Sequence, residues 1–232
     1  VGPVKVSIVT GAILFDLLNG GDKNWGRMAP YADLAYAATM AAGESFALGT
    51  AGAGFGATTA NLKGGIGSAS AVTSGGFTVG AIVAVNAIGV ATMGDGPHFW
   101  AAPYEVGAEF GGLGLTSPAS SGALRVRVKG DRPATTIACV ATDAAINKAQ
   151  AKRLAIMAND GLSHAIRPAH APFDGDTVFM AGTGRKPLGA NALRDVTEIG
   201  TVAADCLARA VARGVYEATA LPFSGALPSW RD

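Results

Sequence analysis

Histidine is scarce in this chain, with three in 232 residues: His98, His164 and His170. There is no His-Glu-x-x-His or Cys-x-x-Cys pattern and no Gly-x-Ser-x-Gly elbow, so the common zinc sites and a conventional serine triad are poorly supplied. Cysteine is rarer still. Cys139 and Cys206 both sit in apolar patterns, which predicts buried free thiols rather than a disulfide or a catalytic pair. Charge is sparse as well: charged residues are 15% and the net charge is +1, which leaves no electrostatic footprint for nucleic acid. No long unbroken hydrophobic run occurs. The longest, residues 77–93, is interrupted by Gly80, Asn86 and Gly89, so it reads as a buried strand and not a membrane span. The opening residues lack a basic start followed by an apolar block, so no leader peptide is expected there.

Glycine is what the chain has in excess. The 33 glycines show no collagen period and imply tight turns and close backbone packing. The length suits one large domain with a substantial core. Residues 4–18 alternate as a strand does, with Val4, Val6 and Ile8 on one face, and end in the turn "NGGDKNW". Residues 34–42 are alanine-rich and read as a helix, and 49–67 as a glycine-rich loop carrying Lys63. Residues 77–88 read as a strand, 94–121 as turns that include "TSPASSG", and 124–129, "LRVRVK", as a strand with one exposed face. A strand over 136–142 is followed by Asp143, read as the cap of a helix reaching about Ser163 with Ile146, Ala149, Leu154, Met157 and Gly161 near one face. Residues 177–181 read as a further strand. Asp195 and Glu198 have capping-box spacing ahead of the stripe Val196, Ile199, Ala203, Leu207 and Ala210, with the helix ending near Gly214. The class is mixed α and β, an antiparallel-rich sheet with helices outside.

The stretch "DRPATTIACVATD" places two hydroxyls, Thr135 and Thr136, at the head of an apolar strand. Threonine there can simply bond local backbone. It can also be an N-terminal nucleophile. In that chemistry the hydroxyl first cuts the chain before its own residue. The freed α-amine, with a reference pKa of about 7.7–8.0, then serves as base for the hydroxyl on the same residue, and no histidine is needed. "PFDGDTVF" sets Asp174 and Asp176 around Gly175. It is either an Asp-Gly turn with a solvated acid or a carboxylate pair that orients the nucleophile, one member holding a proton. His170, four residues before Asp174, is either a turn residue or part of that site. Lys63 stands nearly alone in its glycine-rich stretch, as a surface lysine or a site amine. Asn86 interrupts an apolar strand. An amide there must find partners, in the backbone or at an oxyanion, where such a donor is worth about 2.7–4 kcal/mol. "GTAGAGFGATTANLKGG" is no phosphate loop, since it lacks a Gly-Lys-Ser/Thr ending.

Together these signals resemble one family. "GAILFDLLNGGDKNW", "GTAGAGFGATTANLKGGIGSAS", "TTIACVATDAAINKAQAKRLAIMANDGLSHAIRP" and "FDGDTVFMAGTG" are similar, in order and over nearly the whole chain, to the DmpA (P1) family of L-aminopeptidase/D-esterases, β-aminopeptidases and nylon-oligomer hydrolases, peptidase family S58. The resemblance implies an α+β fold, a four-layer αββα sandwich of the DmpA/ornithine-acetyltransferase type. It implies one catalytic domain over 1–232, cut between Ala134 and Thr135 into 1–134 and 135–232. Thr135 would then attack a small peptide, amide or ester substrate, with Asp174 and Asp176 beside it and Lys63 and Asn86 matching the family's site lysine and oxyanion-side asparagine. Phe15 falls where nylon-oligomer hydrolases carry a site tyrosine, and Thr136 would help orient substrate. No cofactor, metal, nucleic acid or membrane is implied. A homo-oligomer, often a tetramer, and a cytoplasmic bacterial setting are. Two departures stand out. Ala134 takes a place where Asn or Gly is frequent, and the family's glycine/serine-rich upstream segment is missing, as if the sequence begins inside the family alignment. An acyltransferase sharing the nucleophile and an unprocessed, inactive copy remain alternative readings.

Overall fold

The computed structural model describes residues 2–5, 9–117, 125–130 and 132–232. Among these residues the elements are helix α1 (Tyr31–Met40), strands β1 (Ile66–Val72), β2 (Thr78–Ala84) and β3 (Ile137–Ala144), helix α2 (Lys148–Ala165), strand β4 (Thr177–Lys186) and helix α3 (Ala192–Tyr216). The strands form one sheet in the order β1-β2-β3-β4. β1/β2 and β2/β3 are antiparallel, and β3/β4 is parallel, as a strand–helix–strand crossover through α2 requires.

Burial alternates along the strands and sets the layers. The row Ala69–Ala81–Val140 is buried, at 3%, 3% and 0% exposure, beneath the helices. The neighbouring row Ser68–Ile82–Cys139–Phe179 lies on the other face, where Ile82 and Cys139 are exposed. α3 lies on β1 and β2, and α2 packs on α3 and β4. Among the described residues this gives one sheet and one helical layer of an α+β sandwich. The α3 stripe Val196, Ile199, Ala203, Leu207 and Ala210 is buried as its spacing predicts. Each fully buried Leu or Ile contributes roughly 1.5–3 kcal/mol. α3 also comes unusually close to the sheet. A Cβ on Gly67 would lie 1.7 Å from the carbonyl oxygen of Ala210, so any side chain there would lift the helix off β1.

The structure corrects several expectations. Residues 9–18 contain no strand, and Val9, Ile13 and Leu18 are exposed. Val6 and Ile8 lie outside the described residues. β1 takes over the end of the expected glycine loop; its Gly, Ser and Ala residues give no apolar alternation to read. No strand forms over 125–129, and Leu124 lies outside the described residues, as does part of "TSPASSG". There the expected exposure is inverted: Val126 is 71% exposed and Lys129 is 7% exposed. α1 starts three residues earlier than its composition suggested. Asp143 does not cap α2, because Ala144 still pairs with Lys186 in the sheet and Asp143 binds Lys186 at 3.0 Å. The cap is Asn147, in a capping box with Gln150. Asn191 likewise caps α3, leaving Asp195 to accept from Gly189 and Glu198 from Ser74. Both cysteines are free, but only Cys206 is buried.

Candidate active site

Three strand ends meet at one edge of the sheet. β3 and β4 are parallel neighbours with Ile137 opposite Thr177, so the residues preceding each lie side by side. Ala134 pairs with Asp174 in an isolated parallel bridge, which brings the threonine pair against the Asp-Gly-Asp turn. β2 runs the other way and ends with Ala84 opposite Ile137, so Asn86 arrives at the same edge.

The bonds around Thr135 fix both sides of its peptide link. Its N–H donates to the Asn86 carbonyl at 3.0 Å, and the carbonyl of Ala134 accepts from Gly175 N–H at 2.9 Å. The Thr135 hydroxyl donates to that same Ala134 oxygen at 2.6 Å. Gly175 is at this position because space allows nothing larger: a Cβ would stand 2.9 Å from Thr135 Oγ1. Thr135 is 9% exposed, and Thr136 is fully buried with its hydroxyl unpartnered.

The two carboxylates have different surroundings. Asp176 Oδ1 accepts from Thr136 N–H at 2.8 Å, and Oδ2 accepts from His170 Nδ1 at 2.9 Å. Asn159 Nδ2 lies 3.0 Å from His170 Nε2, an arrangement satisfied when the ring proton is on Nδ1. Both oxygens of Asp174 are buried without a close hydrogen bond; the Asp176 carboxyl and the His170 main-chain N–H are the polar groups nearest to them. Burial and the adjacent Asp176 charge push its carboxyl well above the usual carboxylate range. Asp174 is thus the member of the pair that keeps its proton toward neutral pH.

Asn86 is fully buried. Its Oδ1 accepts from Lys129 Nζ at 2.7 Å and from Thr58 N–H at 3.1 Å, and its Nδ2 donates to the Phe15 carbonyl at 2.8 Å. Phe15 therefore reaches the site through its main chain. Lys63 is 2% exposed, and its amine donates to the carbonyls of Gly54, Ala57 and Gly64 at 2.6, 2.8 and 2.7 Å. Burial lowers that amine to about 8 against the opposing pull of Asp16. Lys63 organises the glycine loop whose Thr58 holds Asn86, and these bonds use all three of its ammonium hydrogens. Sequence reasoning passed over Lys129, which alternates like an exposed strand residue, and left His170 open. Among the described residues no cluster of three or more His, Cys, Asp or Glu is placed to hold a metal ion, and no helix is long and apolar enough to cross a membrane.

A family model, that of Peptidase family S58, matches residues 3–226. The chain belongs to this family. An uncharacterized aminopeptidase of Mycobacterium tuberculosis (strain ATCC 25618 / H37Rv) is 41% identical over 245 aligned residues, covering 98% of this chain and 67% of that protein. An uncharacterized aminopeptidase of Mycobacterium leprae (strain TN) is 40% identical, covering 92% and 62%. Among solved structures, a Burkholderia sp. beta-aminopeptidase matches with a TM-score of 0.55 and 23% identity over 81% of this chain and 51% of that one. The L-aminopeptidase D-Ala-esterase/amidase of Ochrobactrum anthropi, described as a variant of the Ntn hydrolase fold, matches with a TM-score of 0.54 and 22% identity over 82% and 51%. These structures share the fold, and the chain spans about half their length.

Proposed function

We propose that this chain is a self-processing N-terminal-nucleophile hydrolase that cuts its Ala134–Thr135 bond and then uses Thr135 on a small peptide, amide or ester. The observation that carries this reading is the Thr135 hydroxyl set 2.6 Å from the carbonyl oxygen of Ala134, with that oxygen also bound by Gly175 N–H.

In self-cleavage Thr135 Oγ1 bonds to the Ala134 carbonyl carbon and its proton passes to the Asp174 carboxylate. The carbonyl electron pair moves onto the oxygen, where Gly175 N–H receives it, as an oxyanion donor does. Collapse breaks the carbon–nitrogen bond, and the nitrogen takes the proton back from Asp174. The product is an Ala134–Thr135 ester, which water hydrolyses to a carboxyl on Ala134 and a free Thr135. The new α-amine then takes the hydroxyl proton in each turnover. Asp176 supports Thr136 N–H, which keeps the nucleophile seated at the strand head. Lys63 and Asn86 keep the facing loop closed on this edge, Thr136 backs the nucleophile, and Phe15 borders the substrate's position.

The family membership supports the hydrolase class, and the Ochrobactrum protein's description as an aminopeptidase, esterase and amidase supports the substrate range. Exposed apolar side chains on α1 and the segment before it, among them Ile13, Tyr31, Leu34 and Met40, support assembly as a homo-oligomer. The test is turnover of aminoacyl anilides and esters, with and without an added amine acceptor, by the chain and by Thr135→Ala. Hydrolysis lost in Thr135→Ala supports the reading. Turnover unchanged in Thr135→Ala overturns it, and product appearing only with the amine would make the protein an acyltransferase.

A further inference from the structure

Lys129 is a cation where an apolar side chain is expected. It is 7% exposed, while Val126 and Val128 beside it in sequence are 71% and 41% exposed. Burying an amine is costly unless it meets a partner. Its main chain is fixed just ahead of the nucleophile: Lys129 N–H donates to Ile88 O at 3.1 Å, and Arg132 Nε donates to the Lys129 carbonyl at 3.4 Å. Its Nζ donates to Asn86 Oδ1 at 2.7 Å. Lys129 and Thr58 thereby claim the amide oxygen, so the nitrogen of Asn86 must face Phe15, while its main-chain oxygen holds Thr135 N–H. Among the described residues Asn86 is the only acceptor for the Lys129 amine, which leaves it hydrogens to give. Asp174, within Coulombic reach, has two buried oxygens with no close hydrogen bond, the His170 main-chain N–H being the donor nearest to them.

We propose that Lys129 is a positioning residue of the nucleophile's site, which orients the Asn86 carboxamide and serves as a counter-cation of the buried Asp174 carboxyl. The inference rests on the self-processing reading and assigns it a control. In the uncut chain the Thr135 nitrogen is an amide and cannot accept a proton, so ionisation of Asp174 governs the cut, and Lys129 favours that ionisation. The two groups act on each other reciprocally. Burial and Arg132 bring the Lys129 amine down to about 7 while Asp174 pulls it up, and Lys63 adds to the lowering. Asp174 is raised by burial and by Asp176, with the His170 main-chain N–H and then Lys129 pulling it down. His170 faces the same carboxylates through Asp176.

The experiment is a pH titration of the Asp174 carboxyl by carbon NMR in chain labelled at aspartate, with the signal assigned by Asp174→Asn. It is run on the chain, Lys129→Met and Lys129→Arg, alongside the rate of self-cleavage by intact mass. Losing the cation should move the Asp174 midpoint up by about one unit and the pH at which cleavage accelerates by the same amount. Lys129→Arg, which never loses its charge, should leave the midpoint at or below its original value. An unmoved Asp174 midpoint in folded Lys129→Met overturns the proposal, whatever happens to the rate. If Lys129→Met does not fold, an Asp174 midpoint raised in Lys129→Arg overturns it instead. A shifted midpoint in a chain that never cuts itself supports the pairing and removes the self-processing reading.

Discussion

Gly175 N–H donates to the carbonyl oxygen of Ala134 at 2.9 Å, and the missing side chain of Gly175 leaves room for Thr135 Oγ1. In the proposed self-cleavage, one residue would both hold the scissile carbonyl and make space for the attacking hydroxyl. Gly175→Ala places a methyl 2.9 Å from the hydroxyl and must displace it. Self-cleavage should slow by about 100-fold, the scale of a misplacement near 1 Å, in a chain that still folds. Time-resolved intact mass and circular dichroism would check both parts.

His170 acts on the site through Asp176. His170→Ala removes the closer, ring donor at Asp176 Oδ2 and leaves that oxygen of a nearly buried carboxylate with only the longer main-chain N–H of residue 170, at 3.3 Å. The expected cost is about 1–3 kcal/mol of stability and a roughly tenfold slower cut. Gln, which retains a donor, should recover part of both. Equal losses in the Ala and Gln variants would show that the ring's bulk, and not its hydrogen bond, is what Asp176 needs.

Asp174 gives stability a definite slope against pH. Its proton is held more tightly in the folded than in the unfolded chain, because burial and Asp176 raise the folded value. The folded state therefore loses stability as pH rises from the unfolded carboxylate value, about 3.9, through the raised one. Asp174→Asn removes that loss. The variant's gain over the original chain should grow between about pH 4 and pH 8 in denaturant titrations, and a gain that is flat across this range would contradict the assignment.

Lys63 is expected to behave as a structural lysine. Its replacement by Met strands the carbonyls of Gly54, Ala57 and Gly64 in a buried loop. The loss should be about 2–4 kcal/mol, with raised hydrogen exchange over residues 54–65. The Asp174 midpoint should move far less than in Lys129→Met, since Lys63 is absent from the groups that act on that carboxyl.

What could be read from the sequence follows from how each residue signals. The α3 stripe was legible because Val196, Ile199, Ala203 and Leu207 repeat at helical spacing against polar neighbours. β1 was not, since Gly67, Ser68 and Ala69 carry no apolar alternation and are small only because α3 lies so close. The caps at Asn147 and Asn191 were hidden by nearby acids with equally good spacing, and only the length of β4 shows that Asp143 is committed to the sheet. At the site, the threonine pair and the Asp-Gly-Asp turn carried their own signature, and parallel pairing of β3 with β4 explains why they meet. Lys129 had none. Its alternation with Val126 and Val128 points outward, and burial against Asn86 depends on a contact between residues 43 positions apart.

The most direct test of the account is the intact mass of freshly purified protein under denaturing conditions, beside Thr135→Ala. Two fragments that meet between Ala134 and Thr135, with Thr135→Ala a single uncut chain, are the expected result. A single uncut chain in both, after incubation across neutral pH, would contradict the assignment of Thr135 as a self-released nucleophile.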